Sequence, residues 1–193
     1  MKLEDIHLNY VTDKGTEHGY IPVYDELFFN IKNNDLNILE IGTLQGGSLK
    51  LWNEYFVNSK IYGVEDFSQI TGFAGKIINK EEIIEDLKKY PRINLFCFDS
   101  EDVSKINYNL SNLKFDIIID DASHHPENQI KNIINYIPFL KKEGLYIVED
   151  VVSVEIANYL SESIKNIHNL DSKIININKN GRHDDRLIVV KNT

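Results

Sequence analysis

The chain has 193 residues, of which 42% are hydrophobic and 26% are charged, so it is long enough for one globular domain with a sizeable core. Its net charge of −9 argues against nucleic acid or an anionic membrane surface as the main partner, because both favour a basic protein face. The single cysteine, Cys97, excludes an internal disulfide and a multi-cysteine zinc site.

The N-terminal sequence, MKLEDIHLNY, lacks the apolar stretch of a secretory signal. No apolar run approaches the roughly 20 residues that a membrane-spanning helix needs. We therefore expect a soluble, cytoplasmic protein with no membrane partner, folded as a single domain over residues 1–193.

The first polar stretch, residues 12–20, reads TDKGTEHGY and is rich in functional groups. It is either part of a binding site or a surface turn that leads into a helix, which we expect over residues 23–31. The residues alone leave both interpretations open.

The stretch of residues 37–48, NILEIGTLQGGS, organises the rest of the chain. An apolar run is followed by Gly42, Gly46 and Gly47 and then by apolar residues at helical spacing, which predicts a strand, a turn and a helix. Glycine lets the backbone approach a ligand closely, and the start of a helix offers free N–H groups. This order is typical of the first unit of a wound α/β sheet.

Strands and helices alternate after this unit, with no evident repeat, linker or second domain. Five apolar strands each end in acidic residues, and ligands of an open parallel sheet bind at the carboxyl ends of its strands. Cys97 is expected to be buried in the third strand. The later strands are expected at residues 61–66, 94–98, 115–119, 145–148, 173–178 and 186–191, and the later helices at residues 80–89, 126–140 and 154–167.

The cofactor is indicated by the acidic residues that end the strands. A nicotinamide dinucleotide would require G-x-G-x-x-G, and GTLQGG at residues 42–47 lacks the second glycine. A Walker-type ending is absent from the sequence as well, so the expected ligand is a nucleoside without a bulky phosphate. Glu65 could accept the ribose hydroxyls, Asp99 the adenine amino group, and Glu40 could face a positively charged amino acid tail. S-adenosylmethionine (SAM) has all three groups.

Four motifs carry a resemblance to a known family: EIGTLQGGS, YGVED, DIIIDDASH and GLYIVED. They resemble the class I methyltransferases and are most similar to the metal-dependent sugar O-methyltransferases of macrolide biosynthesis, the macrocin and mycinamicin group; the cephalosporin hydroxylase-like family is related. The resemblance covers nearly the whole chain, and DDASH together with VED is its most specific part. It implies a Rossmann-like α/β fold with a mostly parallel seven-stranded sheet and helices on both faces.

The resemblance also implies a site for a divalent cation. It assigns Asp121, Glu149 and Asp150 as metal ligands, and carboxylate ligands suit Mg²⁺ or Mn²⁺. Without a cation, three carboxylates on one centre would repel one another. On the residues alone, helix capping by Asp120 or Asp121 and solvation of the other acids remain alternatives. The expected cofactor-binding residues are Lys14, Glu40, Gly42, Ser48, Glu65, Asp99, Ser100 and Asp120.

The resemblance places a general base in the loop after the fourth strand. His124, three residues after Asp121, is expected to take the proton of the acceptor hydroxyl, with His125 as the competing candidate. Residues 1–35 are expected to contribute to the cofactor and acceptor site. Several aromatic residues are expected either to wall an acceptor pocket or to belong to the core, namely Tyr10, Tyr20, Tyr24 and Phe73.

These expectations combine into an O-methyltransferase that depends on SAM and on a divalent metal. Two adjacent acceptor hydroxyls would chelate the metal, and the deprotonated one would attack the methyl group. The resemblance favours a sugar acceptor, such as a nucleotide-linked sugar or a surface polysaccharide precursor. A methyltransferase for a non-sugar diol or catechol, a non-catalytic SAM-binding partner subunit, and an oxidoreductase are the alternatives. The sequence leaves open whether the chain forms a homo-oligomer.

Overall fold

The computed structural model describes residues 1–72 and 75–193, apart from the side chain of Asn180. Within these residues the strands are β1 (Asn37–Ile41), β2 (Lys60–Val64), β3 (Ile93–Phe96), β4 (Phe115–Asp120), β5 (Leu140–Val148), β6 (Ser172–Asn176) and β7 (Arg186–Lys191). They form one sheet in the order β3-β2-β1-β4-β5-β7-β6, in which β7 runs antiparallel to β5 and β6 and the other described pairs of neighbours are parallel. The expected mostly parallel seven-stranded sheet is confirmed.

Helices cover both faces of the sheet, as expected. The first three pack on one face through residues such as Tyr24 and Trp52, and the last three pack on the other through residues such as Ile133 and Leu160. Among the described helices, none combines the length and the apolar character that crossing a membrane requires. The described α-helices, in chain order, are α1 (Tyr20–Phe28), α2 (Gly47–Tyr55), α3 (Lys80–Leu87), α4 (Val103–Leu110), α5 (Pro126–Tyr136) and α6 (Val154–His168).

The sequence of β4, FDIIID, shows how the two faces are built. Successive side chains of a strand point to opposite faces of the sheet. Ile117 and Ile119 therefore join the core under α1 and α2, whereas Ile118 joins the core under α5 and α6. Asp120 follows the same alternation and points towards α5, where it contacts Asn132.

The strand order reverses between β1 and β4, which is the position at which open α/β sheets bind ligands. The register aligns Ile41 with Asp120, and Asp120 with Val148. Backbone hydrogen bonds of 2.9 Å, from Asp121 N to Ile41 O and from Glu149 N to Asp120 O, continue this alignment by one residue. The acidic residues that follow β4 and β5 consequently lie side by side.

Four elements differ most from the sequence-based expectation. α1 (Tyr20–Phe28) begins and ends three residues earlier than the helix expected over residues 23–31. The expectation contains no helix at α4, and it places the end of α5 and the start of β5 later than the structure does. α5 ends at Tyr136 because Pro138 follows, since proline lacks an N–H group and its ring clashes with the preceding helical turn. The chain after Pro138 is then free to begin β5 at Leu140.

The expectation that Cys97 is buried within a strand is wrong. β3 ends at Phe96 and forms one edge of the sheet, so Cys97 follows the strand as an exposed residue. Its thiol is not part of the core.

Candidate functional site

A cavity of about 540 Å³ opens at the carboxyl ends of β1 to β4. Its volume lies in the range of small-molecule sites. It extends from the residues after β2 and β3, past the glycine turn, to the loop after β4. Of the expected cofactor-binding residues, the cavity is lined by Gly42, Ser48, Glu65, Asp99 and Ser100, whereas Lys14, Glu40 and Asp120 lie outside its lining.

Two glycines let separate segments pack closely around this cavity. Gly42 has a positive φ of 80°, and a Cβ there would lie 2.3 Å from the carbonyl oxygen of Asp121. A Cβ on Gly47 would lie 1.8 Å from the carbonyl oxygen of Val11. The first contact packs the glycine turn against the loop after β4. The second packs the segment around Val11 against the start of α2.

Glu65 holds the glycine turn from the end of β2. Its Oε2 accepts hydrogen bonds from the backbone N–H groups of Thr43, at 2.8 Å, and Leu44, at 2.6 Å. Its Oε1 accepts one from Phe67 N at 2.9 Å. Burial raises the pKa of Glu65, and the three N–H groups act in the opposite direction. The carboxylate therefore both fixes the turn and lines the cavity.

The residues after β3 form another part of the cavity lining. Asp99 is exposed, and its Oδ1 accepts a hydrogen bond from the backbone N–H of Glu101 at 2.9 Å. The carbonyl oxygen of Ser100 accepts one from the hydroxyl of Tyr136 at 3.2 Å. Phe98 also lines the cavity, so this end of it offers an apolar side chain together with a carboxylate.

Lys14 lies in the middle of a buried carboxylate cluster. Its Nζ is 2.7 Å from Asp121 Oδ2, 2.7 and 2.8 Å from the two carboxylate oxygens of Glu149, and 3.1 Å from Glu40 Oε1. Burial acts to lower the pKa of Lys14, but the facing carboxylates outweigh it and hold the pKa well above its usual value. The ammonium group therefore stays charged and offsets part of the cluster's negative charge.

Glu40 and Glu149 have further hydrogen-bond donors on their other sides. Glu40 Oε2 accepts hydrogen bonds from Ser48 Oγ at 2.6 Å and from Trp52 Nε1 at 3.2 Å. Glu149 Oε1 accepts one from the hydroxyl of Tyr24. Burial raises the pKa of both carboxyl groups, and the charge of Lys14 opposes this effect.

Asp150 has a left-handed backbone conformation, with φ of 55°, at the end of β5. This conformation is uncommon for residues other than glycine and occurs often at functional sites. Its Oδ1 accepts a hydrogen bond from the hydroxyl of Tyr20 and lies 3.4 Å from His18 Nε2. Its Oδ2 lies 3.2 Å from His124 Nε2. The backbone turn thus directs the carboxylate between two histidines.

His124 bridges two of the acidic residues. Its Nε2 lies 3.6 Å from Asp121 Oδ1 and 3.2 Å from Asp150 Oδ2. The interaction with Asp121, joined by the charge of Asp150, raises the pKa of His124 to about 9 although burial opposes the rise. His125 is instead an exposed residue at the N-cap of α5. The structure therefore brings His124, and not His125, to these carboxylates.

Asp120 points away from the cavity, contrary to the expectation that it contacts the cofactor. Its Oδ1 accepts a hydrogen bond from Asn132 Nδ2 and its Oδ2 one from the Tyr146 hydroxyl, each at 3.0 Å. Burial raises the pKa of Asp120 to about 7. The alternation of β4 explains this placement, because Asp120 belongs to the α5 face whereas Asp121 lies beyond the last strand residue and reaches the cavity.

The three expected metal ligands are only partly brought together. In the part of the chain that the structure describes, Asp121 forms one group of possible ligands with His124 and Asp150, and a second with Glu40 and Glu149. The ligand atoms of each group lie within 4.8 Å of one another. Asp121 is shared by both groups, whereas Glu149 and Asp150 fall into different ones.

The polar stretch of residues 12–20 and helix α1 supply many of the contacts to these acids. The sequence-based expectation included Lys14 as a cofactor-binding residue, but it did not include the contacts of Lys14, His18, Tyr20 and Tyr24 with the acids. Lys14 contacts Asp121 and Glu149, His18 and Tyr20 contact Asp150, and Tyr24 contacts Glu149. Two features of the sequence point to this segment: TDKGTEHGY contains more functional groups than a helix cap needs, and it is similar to a segment of the methyltransferases that the chain resembles. Its interpretation as part of a site is therefore favoured over that of a simple surface turn.

The aromatic residues that were considered for an acceptor pocket lie mostly elsewhere in the structure. Tyr20 and Tyr24 are fully buried, so the expectation that they wall such a pocket is wrong and their alternative as core residues is correct. Tyr10 is half-buried, and its hydroxyl donates to Glu54. Phe73 lies outside the described residues.

Curated proteins similar to this chain include sugar-modifying methyltransferases. Mycinamicin VI 2''-O-methyltransferase of Micromonospora griseorubida is 28% identical over 158 residues, and demethylmacrocin O-methyltransferase of Streptomyces fradiae is 29% identical over 158 residues. Each alignment covers 77% of this chain and 36% of the relative, so the chain spans about a third of the length of the curated relatives it matches. No protein-family profile matches the chain.

A solved structure of a methyltransferase is also similar to this chain. The MycE methyltransferase from the mycinamycin biosynthetic pathway, in complex with Mg, SAH and mycinamycin VI, matches with a TM-score of 0.64 and 28% identity over 78% of this chain and 37% of that chain. The homologues of this chain are macrocin- and mycinamicin-type sugar O-methyltransferases. The class I methyltransferase fold and the family resemblance that the motifs implied are both confirmed.

Proposed function

We propose that the chain is an O-methyltransferase that transfers the methyl group of SAM to a sugar hydroxyl with the help of a divalent cation. One observation carries the proposal: a single cavity joins the strand-end acids suited to SAM, Glu65 and Asp99, to Asp121 and His124. Asp150 lies directly behind His124. The homologues are named as sugar O-methyltransferases, which supports the same reaction class.

SAM fits the polar and apolar groups of the cavity. After accepting its three backbone N–H groups, Glu65 retains one acceptor position, on Oε1, for a ribose hydroxyl. Asp99 can accept the adenine amino group, and Phe98 offers an apolar surface for the ring. Gly42, Thr43 and Ser48 line the same cavity and would face the methionine part. The SAH in the MycE structure supports this choice of cofactor.

A hard divalent cation fits the carboxylates beside the cavity. Glu40, Asp121 and Glu149 face the ammonium of Lys14, and Asp150 faces His124, so up to four carboxylate charges meet two cationic groups and negative charge is in excess. Carboxylate oxygens are preferred ligands of Mg²⁺ and Mn²⁺. We assign direct binding to Asp121 and Asp150, with Glu149 as the buried third carboxylate. The Mg in the MycE structure supports this assignment.

The residues of this chain then divide the reaction among them. When bound, the cation would lower the pKa of an acceptor hydroxyl and SAM would supply the methyl group. His124 takes the proton of that hydroxyl as the general base. Asp121 and Asp150 hold the imidazole in place and raise the pKa of His124 to about 9. A cation held by these two carboxylates would offset their charge and so would lower that pKa towards its usual value. A neutral imidazole is the form that accepts a proton.

The homologues support a sugar as the acceptor, and a divalent cation suits chelation by two adjacent hydroxyls. Relatives are named for methylation of sugar hydroxyls, including the 2'-O and 3'-O positions of rhamnosyl tetracenomycin derivatives. We propose a sugar with two adjacent free hydroxyls as the acceptor, with nucleotide-linked sugars and polysaccharide precursors as candidates. A homo-oligomeric state and a cytoplasmic location remain predictions.

Transfer of a radiolabelled methyl group from SAM tests this function. The acceptor panel would contain glycosylated antibiotics, nucleotide-linked sugars, polysaccharide precursors and a catechol, each with Mg²⁺ or with EDTA. We expect transfer to a sugar that stops in EDTA, returns with Mg²⁺ and falls sharply when one of the two adjacent hydroxyls is removed. Transfer to the catechol alone would favour the non-sugar alternative, and SAM binding without any transfer would favour the non-catalytic subunit.

A further inference from the structure

The methionine part of SAM carries an ammonium group, and the sequence-based expectation gives this group Glu40 as its partner. In the structure Glu40 lies outside the lining of the cavity, and its Oε1 faces Lys14 Nζ at 3.1 Å. Its Oε2 accepts hydrogen bonds from Ser48 Oγ and Trp52 Nε1. An ionised partner for the ammonium group therefore has to come from another carboxylate, one that lines the cavity.

Six acidic residues line the cavity, and five of them already accept hydrogen bonds from other described residues. Four of the five follow β2 or β3, at the end that we assign to the nucleoside, namely Glu65, Asp66, Asp99 and Glu101. The fifth, Asp121, accepts from Lys14 and faces His124. The sixth is Asp13, whose carboxylate accepts no hydrogen bond from another residue in the described part of the chain.

Asp13 lies at the end of the cavity that would face the methionine part. Two residues before it, the carbonyl oxygen of Val11 packs against Gly47 at the start of α2. Directly after it, Lys14 reaches Asp121 at 2.7 Å. The carbonyl oxygen of Asp13 accepts three backbone hydrogen bonds of 2.9, 3.0 and 3.2 Å from the turn that follows. The backbone of Asp13 is thus fixed between the start of α2 and the loop after β4.

The charges around Asp13 favour a cationic ligand. Burial and the negative charge of Asp121 raise the pKa of Asp13, and the charges of Lys14 and His18 act in the opposite direction. The ammonium group of a ligand would stabilise the ionised carboxylate further. A hydrogen bond between an ammonium and a carboxylate is also stronger than one between neutral groups.

We propose that Asp13 binds the ammonium group of SAM, in place of Glu40. This inference rests on the proposed function, because it names a further residue of the cofactor site. Glu40 then acts indirectly, through Ser48 and Lys14, whose side chains it holds. Asp13 thereby makes the cavity selective for nucleosides that carry an amino acid tail.

Calorimetric titration with SAH and with desamino-SAH, in which hydrogen replaces the amino group, tests this proposal in EDTA and without any acceptor. We expect the wild-type chain to bind SAH at least about tenfold more tightly than desamino-SAH, as a charge-assisted hydrogen bond implies. Asp13→Asn should weaken SAH about tenfold and should change the affinity for desamino-SAH less than about twofold. The reason is that the variant removes a charge that only the ammonium group uses.

Two further variants serve as comparisons. Glu17→Gln is the matched control, because Glu17 lies in the same segment but is exposed and faces Arg182 at 3.5 Å. Glu17→Gln and Glu40→Gln should both keep the wild-type preference for SAH over desamino-SAH. A wild-type chain that binds the two ligands equally, or a preference that persists in Asp13→Asn, would overturn the proposal. Loss of the preference in Glu40→Gln but not in Asp13→Asn would return the ammonium group to Glu40.

A crystal structure of the wild-type chain with SAH provides a test that does not depend on the folding of any variant. The ammonium nitrogen should lie within about 3.2 Å of a carboxylate oxygen of Asp13. An ammonium group held by Glu40, or by backbone carbonyl oxygens alone, would contradict this inference and leave the proposed function intact. A wild-type chain that does not bind SAH at all would overturn both.

Discussion

Adjacent residues at the end of β4 have opposite environments. Asp120 is enclosed by Asn132 and Tyr146, and burial raises its pKa to about 7. Burial acts in the same direction on Asp121, but the charges of Lys14 and His124 outweigh it and lower the pKa of that carboxyl. A one-residue step along the chain thus separates a carboxyl that favours its protonated form from one that favours its ionised form.

This difference predicts the effect of pH on stability. Because the pKa of Asp120 is higher in the folded chain than in the unfolded chain, the folded form binds more protons between roughly pH 4 and pH 7. The free energy of unfolding should therefore fall as the pH rises through this window. Asp120→Asn imitates the protonated acid, and relative to it the wild-type chain should lose up to about 4 kcal/mol between pH 4 and pH 8.

Urea unfolding of the two metal-free proteins at each pH provides the measurement. The difference between them isolates Asp120 from the other titrating groups. Asp116→Asn is a suitable control, since Asp116 lies on the same strand but is only half-buried and pairs with Lys141. A wild-type chain that gains stability relative to Asp120→Asn as the pH rises would contradict the assigned direction of the pKa shift.

The two neighbouring histidines give a second prediction at this scale. His124→Ala should lower kcat by about 10²–10⁴, the usual effect of losing a general base. His125→Ala should change kcat much less, because His125 lies at the N-cap of α5 and away from Asp121 and Asp150. SAM affinity should be almost unchanged in both variants.

Steady-state rates at saturating SAM and acceptor distinguish the two variants. Loss of activity in His125→Ala with normal activity in His124→Ala would assign the base to His125. Normal activity in both would mean that no histidine in this loop acts as the base.

The sequence predicts the acids of the site better than their partners. Asp121 and Glu149 follow apolar strands, and parallel strands bring their carboxyl ends to one edge of the sheet. Their contacts with Lys14 and Tyr24 depend on the path of the N-terminal stretch over that edge, and no periodicity in the sequence specifies this path. The same argument explains why Asp120 could not be separated from Asp121 before its strand register was known.

At the scale of elements, the N-terminal stretch is attached to the loop before β7. Lys179 Nζ donates hydrogen bonds to the carbonyl oxygens of Gly15, at 2.6 Å, Thr16, at 3.1 Å, and His18, at 3.3 Å. This attachment holds the segment that carries Lys14 and His18 against the acidic cluster.

Removing this attachment should loosen the N-terminal stretch. Lys179→Met should destabilise the chain by about 1–3 kcal/mol, since hydrogen bonds from a charged donor are lost. Amide hydrogen exchange should also become faster in residues 14–20, because that segment loses its anchor. Lys173→Met is the matched control, since Lys173 is an exposed residue of β6. Unchanged exchange in Lys179→Met would show that the attachment does not restrain this segment.

The elements were predicted best where periodicity is strong. β7 and the start of α5 agree with the expectation because each combines an apolar pattern with a clear boundary, such as proline in the first helical turn. α4 was missed although Asp102 precedes it as an N-cap and Ile106 and Leu110 lie four residues apart on its buried side. Its polar residues masked this signal, and tertiary packing on β4 and α5 supplies the rest.

At the scale of the whole molecule, ligands that bind only the folded chain should stabilise it. At a concentration 100 times its dissociation constant, a ligand adds about 2.7 kcal/mol, which corresponds to about 5–10 °C in Tm for a chain of this size. SAH and Mn²⁺ should each raise Tm, because the cavity and the acidic cluster exist only in the folded chain. Differential scanning fluorimetry with each ligand alone and with both ligands together measures these shifts in Tm. An unchanged Tm at saturating SAH would argue against a preformed cofactor site.

Calorimetric titration with SAH tests the central claim most directly, because it asks whether the cavity binds this cofactor before any acceptor is known. We predict binding of SAH and SAM but not of NAD, both with Mg²⁺ and with EDTA. Glu65→Ala should weaken SAH binding by about 1–3 kcal/mol, since it removes a ribose partner, two hydrogen bonds from the glycine turn and one from Phe67 N. Glu82→Ala is the control, because Glu82 lies outside this cavity, and this variant should bind SAH with wild-type affinity. Binding of NAD instead of SAH, or unchanged SAH affinity in a folded Glu65→Ala chain, would contradict the account.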